Sequence, residues 1–136
     1  MRLMDAALRN MVRQRAGNRC EYCGIPQDHV PFAAFHVEHI VARQHGGGDD
    51  SSNLALACHH CNLHKGPNLT GIDPVTGQIV RLFHPRQQAW DAHFALRGVT
   101  IVGLTPTGRA TVDVLNMNSL GRLELRAELK ARGLLA

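Results

Sequence analysis

Two cysteine pairs limit what this chain can fold into more than any other feature. Cys20-Glu21-Tyr22-Cys23-Gly24 and Cys58-His59-His60-Cys61 each set two thiols three positions apart. A Cys-x-x-Cys turn curls the backbone so that its N–H groups point at the sulfurs, and Gly24 tolerates the unusual φ of such a turn. Two knuckles together predict a zinc site made by Cys20, Cys23, Cys58 and Cys61. Four thiolates close the tetrahedron, so this Zn²⁺ is structural rather than catalytic. An iron site of rubredoxin type and plain buried cysteines are the competing readings. The 34 residues between the pairs exceed the roughly 15–20 of a compact zinc ribbon. The clip therefore ties together the ends of a longer unit.

With 136 residues, 44% of them hydrophobic and 19% charged, the chain is sized for one soluble domain. Its formal charge of +4 hints weakly at a polyanionic partner. Four thiolates and one zinc ion change the total by about −2. Any basic surface must then come from distribution. Arg2, Arg9, Arg13, Arg15 and Arg19 cluster near one end, and Arg122, Arg126, Lys130 and Arg132 near the other. Solvated helix faces are the plainer reading of both. Nine histidines lean towards metal or proton chemistry. No apolar run approaches ~18 residues, so no membrane span is expected. Asp5, Arg9 and Asn10 interrupt the N-terminal stretch, which does not read as a signal peptide. The expected setting is the cytoplasm, where thiols stay reduced and close cysteine pairs hold metal.

Along the chain, residues 4–16 predict a helix stopped by Gly17-Asn18. Residues 35–41 predict a strand, 44–52 a Gly- and Asp-rich loop, and 54–57 a second strand. A short helix then opens at the second knuckle and ends at Gly66-Pro67. Further on, 73–77 reads as a turn and 78–83 as a strand. Residues 90–96 alternate like a strand, with a helix from Arg86 as the alternative. Residues 100–104 read as another strand, and helices follow Thr105-Pro106 and span 120–131. The spacing Gly103…Gly108-Arg109-Ala110 imitates a phosphate-binding P-loop. It lacks the lysine and the hydroxyl that chemistry needs, so it reads as a helix entry.

The chemistry-bearing residues sit inside the clip. Neighbours on a strand point to opposite faces, so Glu38 can hold a metal while His39 reaches over a substrate, provided the strand end is twisted. Asn62 lies one residue after a zinc ligand, which fixes its position. A carboxylate and an amide oxygen are hard donors suited to Mg²⁺ or Mn²⁺.

Taken together, Cys20-x-x-Cys23, Glu38-His39-Ile40, Asn53-Leu54 and Cys58-x-x-Cys61-Asn62-x-x-Lys65-Gly66 resemble the HNH endonucleases, the ββα-metal or His-Me finger type with a four-cysteine zinc clip. The resemblance covers about residues 18–70. Glu38 stands where many members carry Asp, and Asn62 where His is frequent. The resemblance implies a metal-dependent endonuclease that hydrolyses DNA phosphodiester bonds. His39 would be the general base activating water, a task suited to a side chain that ordinarily titrates near neutrality. Glu38 and Asn62 would hold one divalent ion, Mg²⁺ or Mn²⁺. Asn53 would pin the loop that orients His39. Lys65, three residues after Asn62 on one helix face, would contact a phosphate. His36 shares a strand face with Glu38 and stays open to three roles: hydrogen-bond support, metal ligand, or packed polar residue. His59, His60 and His64 flank the second knuckle, and His60 with His64 at i,i+4 suggests either a separate metal pair or solvated side chains.

The expected fold class is α+β: a small ββα-metal nuclease core with structural zinc knuckles, an N-terminal helix and a C-terminal strand–helix extension. The expected organisation is one nuclease domain over 1–136, with its core at about 18–70 and the extension at about 72–136. DNA is the expected partner and a membrane is not. A protein that targets the nuclease is left open. The rival functions are a non-catalytic zinc module that binds nucleic acid or protein, and an electron-transfer iron protein.

Overall fold

The computed structural model describes residues 4–135. The fold is α+β, built from short two-stranded antiparallel sheets with helices packed on them. It divides into two compact units. The first runs to Pro67 and takes in His84–Gln87; the second comprises Asn68–Phe83 and the chain from Gln88 onward.

In the first unit, helix α1 (Ala6–Arg15) is capped by Asp5, whose carboxylate accepts from the Leu8 N–H. Strand β1 (His36–His39) pairs antiparallel with β2 (Leu54–Ala57), placing His36 opposite Ala57 and His39 opposite Leu54. Helix α2 (His59–Lys65) follows at once and ends at Gly66. All four residues of β2, Leu-Ala-Leu-Ala, are buried, because α1 and α2 both pack on the β1–β2 pair. A strand covered on both faces reads as an unbroken apolar run. Its free edge is also occupied. Glu21 donates its N–H to the Leu56 carbonyl and accepts the Leu56 N–H on its carboxylate, and Arg86 pairs with that carboxylate. Val12, Tyr22, Ile25, Phe35, Leu54 and Leu56 form the core around the cysteines.

The N-terminal arginines are not simply a solvated face. Arg13 donates to the Phe35 carbonyl, Arg15 to the Ser51 and Leu54 carbonyls at 3.0 and 2.7 Å, and Arg19 to Gly24. Arg13 and Arg15 therefore tie α1 to the hairpin and its flanks, and Arg19 ties the helix exit to the first cysteine knuckle.

In the second unit, β3 (Thr70–Ile72) pairs with β4 (Ile79–Arg81) and β5 (Phe94–Arg97) with β6 (Thr100–Gly103). Between them lies a single helical turn, α3 (Trp90–His93). Residues 90–96, expected as one strand, thus divide at Phe94. The alternation of Trp90, Ala92, Phe94 and Leu96 fits a strand. Trp90 and Phe94 are also four apart, and their rings stack at 5.1 Å, which a helical turn provides. Strand β3 was not expected either, since three residues with a central glycine carry no alternation signal. Helix α4 (Pro106–Val114) packs on β3, β4 and β6. Its cap Thr105 accepts from Gly108 N–H at 3.0 Å, so the P-loop imitation is a helix entry. Helix α5 (Leu120–Ala131) has the bounds read from the sequence. Its Arg126 is fully buried and donates to the carbonyls of Val99 and Met117 and to Asn118. Asp73 is also buried. Arg109, 2.8 Å away through two nitrogens, holds its carboxyl well below the usual carboxylate range. Among the described residues no helix is long and apolar enough to cross a membrane.

Candidate functional site

The first knuckle turns as its sequence requires. Cys23 N–H points at the Cys20 sulfur, Gly24 N–H bonds the Cys20 carbonyl, and Gly24 takes φ +79°. The second knuckle is the start of α2: Cys58 is the cap residue, and its sulfur accepts from Cys61 N–H. The four Sγ atoms are buried and lie within 4.8 Å of one another. Cys23 and Cys58 Sγ are 3.7 Å apart. Two sulfurs bound tetrahedrally to one zinc at the usual Zn–S distance lie about 3.8 Å apart, so the donor set fits that ion. Its electrostatics also ask for a cation. Burial pushes the Cys20 thiol up, and four thiolates in one dry cluster are tenable only around a positive charge.

Strand β1 carries Glu38 and His39 into an open groove that His36, Ala42, Arg43 and Asn62 also line. Glu38 is buried at its inner wall. The Tyr22 hydroxyl donates to one carboxylate oxygen, and the Lys65 ammonium is 3.2 Å from the other. Burial pushes the Glu38 carboxyl up, while Lys65 and Tyr22 pull it back towards the ionised form. Burial beside Glu38 also raises the Tyr22 phenol, which keeps its proton and remains a donor. Each carboxylate oxygen has a second lone pair beyond these contacts.

His39 is held from the loop side. Its Nε2 lies 2.7 Å from Asp49 Oδ1, and Arg43 Nη2 reaches the two Asp49 oxygens at 2.8 and 3.1 Å. An ionised carboxylate only accepts, so Nε2 carries the hydrogen and the neutral ring keeps its lone pair at Nδ1. Asn53 fixes the loop. Its Oδ1 accepts from Val41 N–H at 2.8 Å, and its Nδ2 donates to the Val41 and Gly48 carbonyls at 3.0 and 2.9 Å. The Asn53 carbonyl in turn accepts from Ile40 N–H. Gly47 has to be glycine here, because a Cβ would stand 1.7 Å from the Val41 oxygen.

A family model described as HNH endonuclease matches residues 20–68. Those residues form a segment similar to the HNH endonucleases. It opens at the first cysteine knuckle, closes just after α2, and covers more than a third of the chain. No curated protein and no solved structure matches the chain.

Within the HNH segment the fold brings Glu38, His39 and Asn62 to one groove and leaves Asn53 beneath the loop beside it. Lys65 is elsewhere. It is 2% exposed and donates to the Ile40 carbonyl at 2.9 Å, so the expected phosphate contact is replaced by an internal ion pair with Glu38. The helix face that carries Lys65 is the one turned onto β1. His36 is exposed, with His59 as its neighbour. The His60 and His64 rings stand 4.2 Å apart, and His64 Nδ1 donates to the His60 carbonyl at 2.9 Å. Three residues of the site escaped sequence reading: Tyr22, Arg43 and Asp49. Tyr22 hides between two cysteines of the cluster, and Asp49 inside a turn whose composition already accounts for it. The one available signal was a second acidic residue within reach of the loop that follows the histidine.

Proposed function

We propose that the HNH segment is a DNA endonuclease that hydrolyses phosphodiester bonds, with His39 as general base. The observation that carries this reading is the shared groove, in which a carboxylate, an amide and a carboxylate-oriented imidazole converge. Water attacks phosphorus and its proton passes to His39 Nδ1. The bond to the 3′ oxygen breaks, leaving 5′-phosphate and 3′-hydroxyl ends. Asp49 stabilises the imidazolium that forms, and Arg43 pairs with both Asp49 oxygens. Glu38 and Asn62 supply hard oxygen donors for a divalent ion, Mg²⁺ or Mn²⁺, which when bound supplies charge stabilisation to the phosphate and the leaving oxygen. Zinc in the four-cysteine cluster holds the frame, in a reducing compartment such as the cytoplasm. The two compact units act as one nuclease, 1–136.

Supercoiled plasmid incubated with the purified protein tests this reading. Nicking or linearisation with Mg²⁺ or Mn²⁺, absent in EDTA, with ligatable 5′-phosphate ends, is expected. Inactivity with every divalent ion in a folded, zinc-loaded protein would contradict it. Asp49→Asn gives a second check. Losing a charge-assisted hydrogen bond to His39 is expected to lower single-turnover cleavage about 10- to 100-fold, with DNA affinity unchanged. An unchanged cleavage rate would remove Asp49 from the mechanism.

A further inference from the structure

We propose that His36 and His59 form a second metal site, a two-imidazole clamp for zinc or another borderline transition-metal dication, separate from the cysteine cluster. His36 Nε2 and His59 Nδ1 lie 3.3 Å apart. Two nitrogens that ligate one tetrahedral ion at the usual Zn–N distance lie about 3.3–3.4 Å apart. The same two nitrogens are also within reach of a long ring-to-ring hydrogen bond. The spacing therefore already suits shared coordination of one ion, which would replace that bond.

The frame holds both rings in place. His36 opens β1 and is paired across the hairpin to Ala57. His59 opens α2, one residue after Cys58, whose position the cysteine cluster fixes. A clamp assembled on a paired strand and a clipped helix start loses little freedom when it binds. Imidazole nitrogens select zinc, nickel or copper over magnesium. Both side chains are exposed, so two protein ligands leave the remaining positions open to water or to an incoming anionic group. His36 also lines the groove that contains Glu38, which puts a bound dication at the groove's rim. The site does not depend on the nuclease reading.

Isothermal titration with ZnCl₂ tests the proposal, using full-length protein whose cysteine cluster already holds one zinc by metal analysis. The wild type is expected to take up a second equivalent. Zinc addition should also shift the ring resonances of His36 and His59 together in NMR spectra. His36→Gln and His59→Gln should each weaken the second equivalent by about tenfold or more, since losing a ligand costs at least as much as losing its hydrogen-bond partner. The double variant should bind the second equivalent at least as weakly as either single variant. His45→Gln, an exposed histidine outside the pair, should bind as the wild type does. Retention of the first zinc in each variant reports an intact fold. A wild type that takes no second equivalent, or one that survives both substitutions at full affinity, overturns the proposal.

Discussion

Stripping zinc from the protein, or replacing Cys61 by Ser, is expected to unfold the unit that contains the groove. Structural zinc contributes about 10–16 kcal/mol to small domains that depend on it. A whole domain is stable by only about 5–15 kcal/mol. The four cysteines occupy the centre of the first unit's core, beside Tyr22 and Ile25, and no disulfide replaces the metal there. They also close the 34 residues between the pairs, which carry both strands of the hairpin. Without the ion, the thiols protonate and the cluster becomes a set of buried groups with weak mutual bonds. Hydrogen exchange with and without a strong chelator measures this directly. Protection across residues 36–39, 54–57 and 59–65 should collapse on chelation and return with added zinc. Protection unchanged by chelation would mean that the cysteines serve only as packing.

Lys65→Met should destabilise the protein by about 3–5 kcal/mol, the cost of leaving one member of a buried ion pair unpaired. Both partners are inside: Lys65 is 2% exposed and the Glu38 side chain 5%. Methionine keeps most of the lysine's volume, so the loss is electrostatic rather than a cavity. The corresponding fall in melting temperature is about 10–20 °C. Two further measurements identify the cause. Adding Glu38→Gln to the variant should recover most of the loss, because no charge is then stranded. The deficit should also depend on pH. Without Lys65, burial acts on Glu38 less opposed, and the folded carboxyl lies further above its unfolded value. A raised folded pKa favours the fold at low pH and loses that support as pH rises through it. The variant should therefore approach the wild type below the ordinary carboxylate range and fall away above it. A loss under about 1 kcal/mol at neutral pH, within the range of an exposed pair, would show that water reaches the pair.

Local signals carried much of this structure. The β2 bounds, the stop of α2 at Gly66, the Thr105 cap and the span of α5 all follow from spacing, caps and breakers within a few residues. The cysteine cluster was legible too, because two knuckles dictate a common partner. What sequence could not show were pairings made across the fold. Lys65 and Arg126 look like surface cations on helices, yet each is buried against carbonyls more than eight residues away. Asp49 reads as a turn former until the loop folds it back onto His39. Burial of a charged residue depends on which helix face meets the sheet, and periodicity alone does not fix that face for a seven-residue helix such as α2.

Cleavage by His39→Ala, measured beside the wild type in single turnover with Mn²⁺, tests the central claim most directly. The side chain is partly exposed in the groove and its imidazole pairs with Asp49, so zinc content and DNA affinity should both be retained. Removing a general base is expected to slow cleavage about 10²- to 10⁴-fold. A variant that binds DNA, holds its zinc and cleaves at the wild-type rate would contradict the assignment of His39 and with it the proposed mechanism.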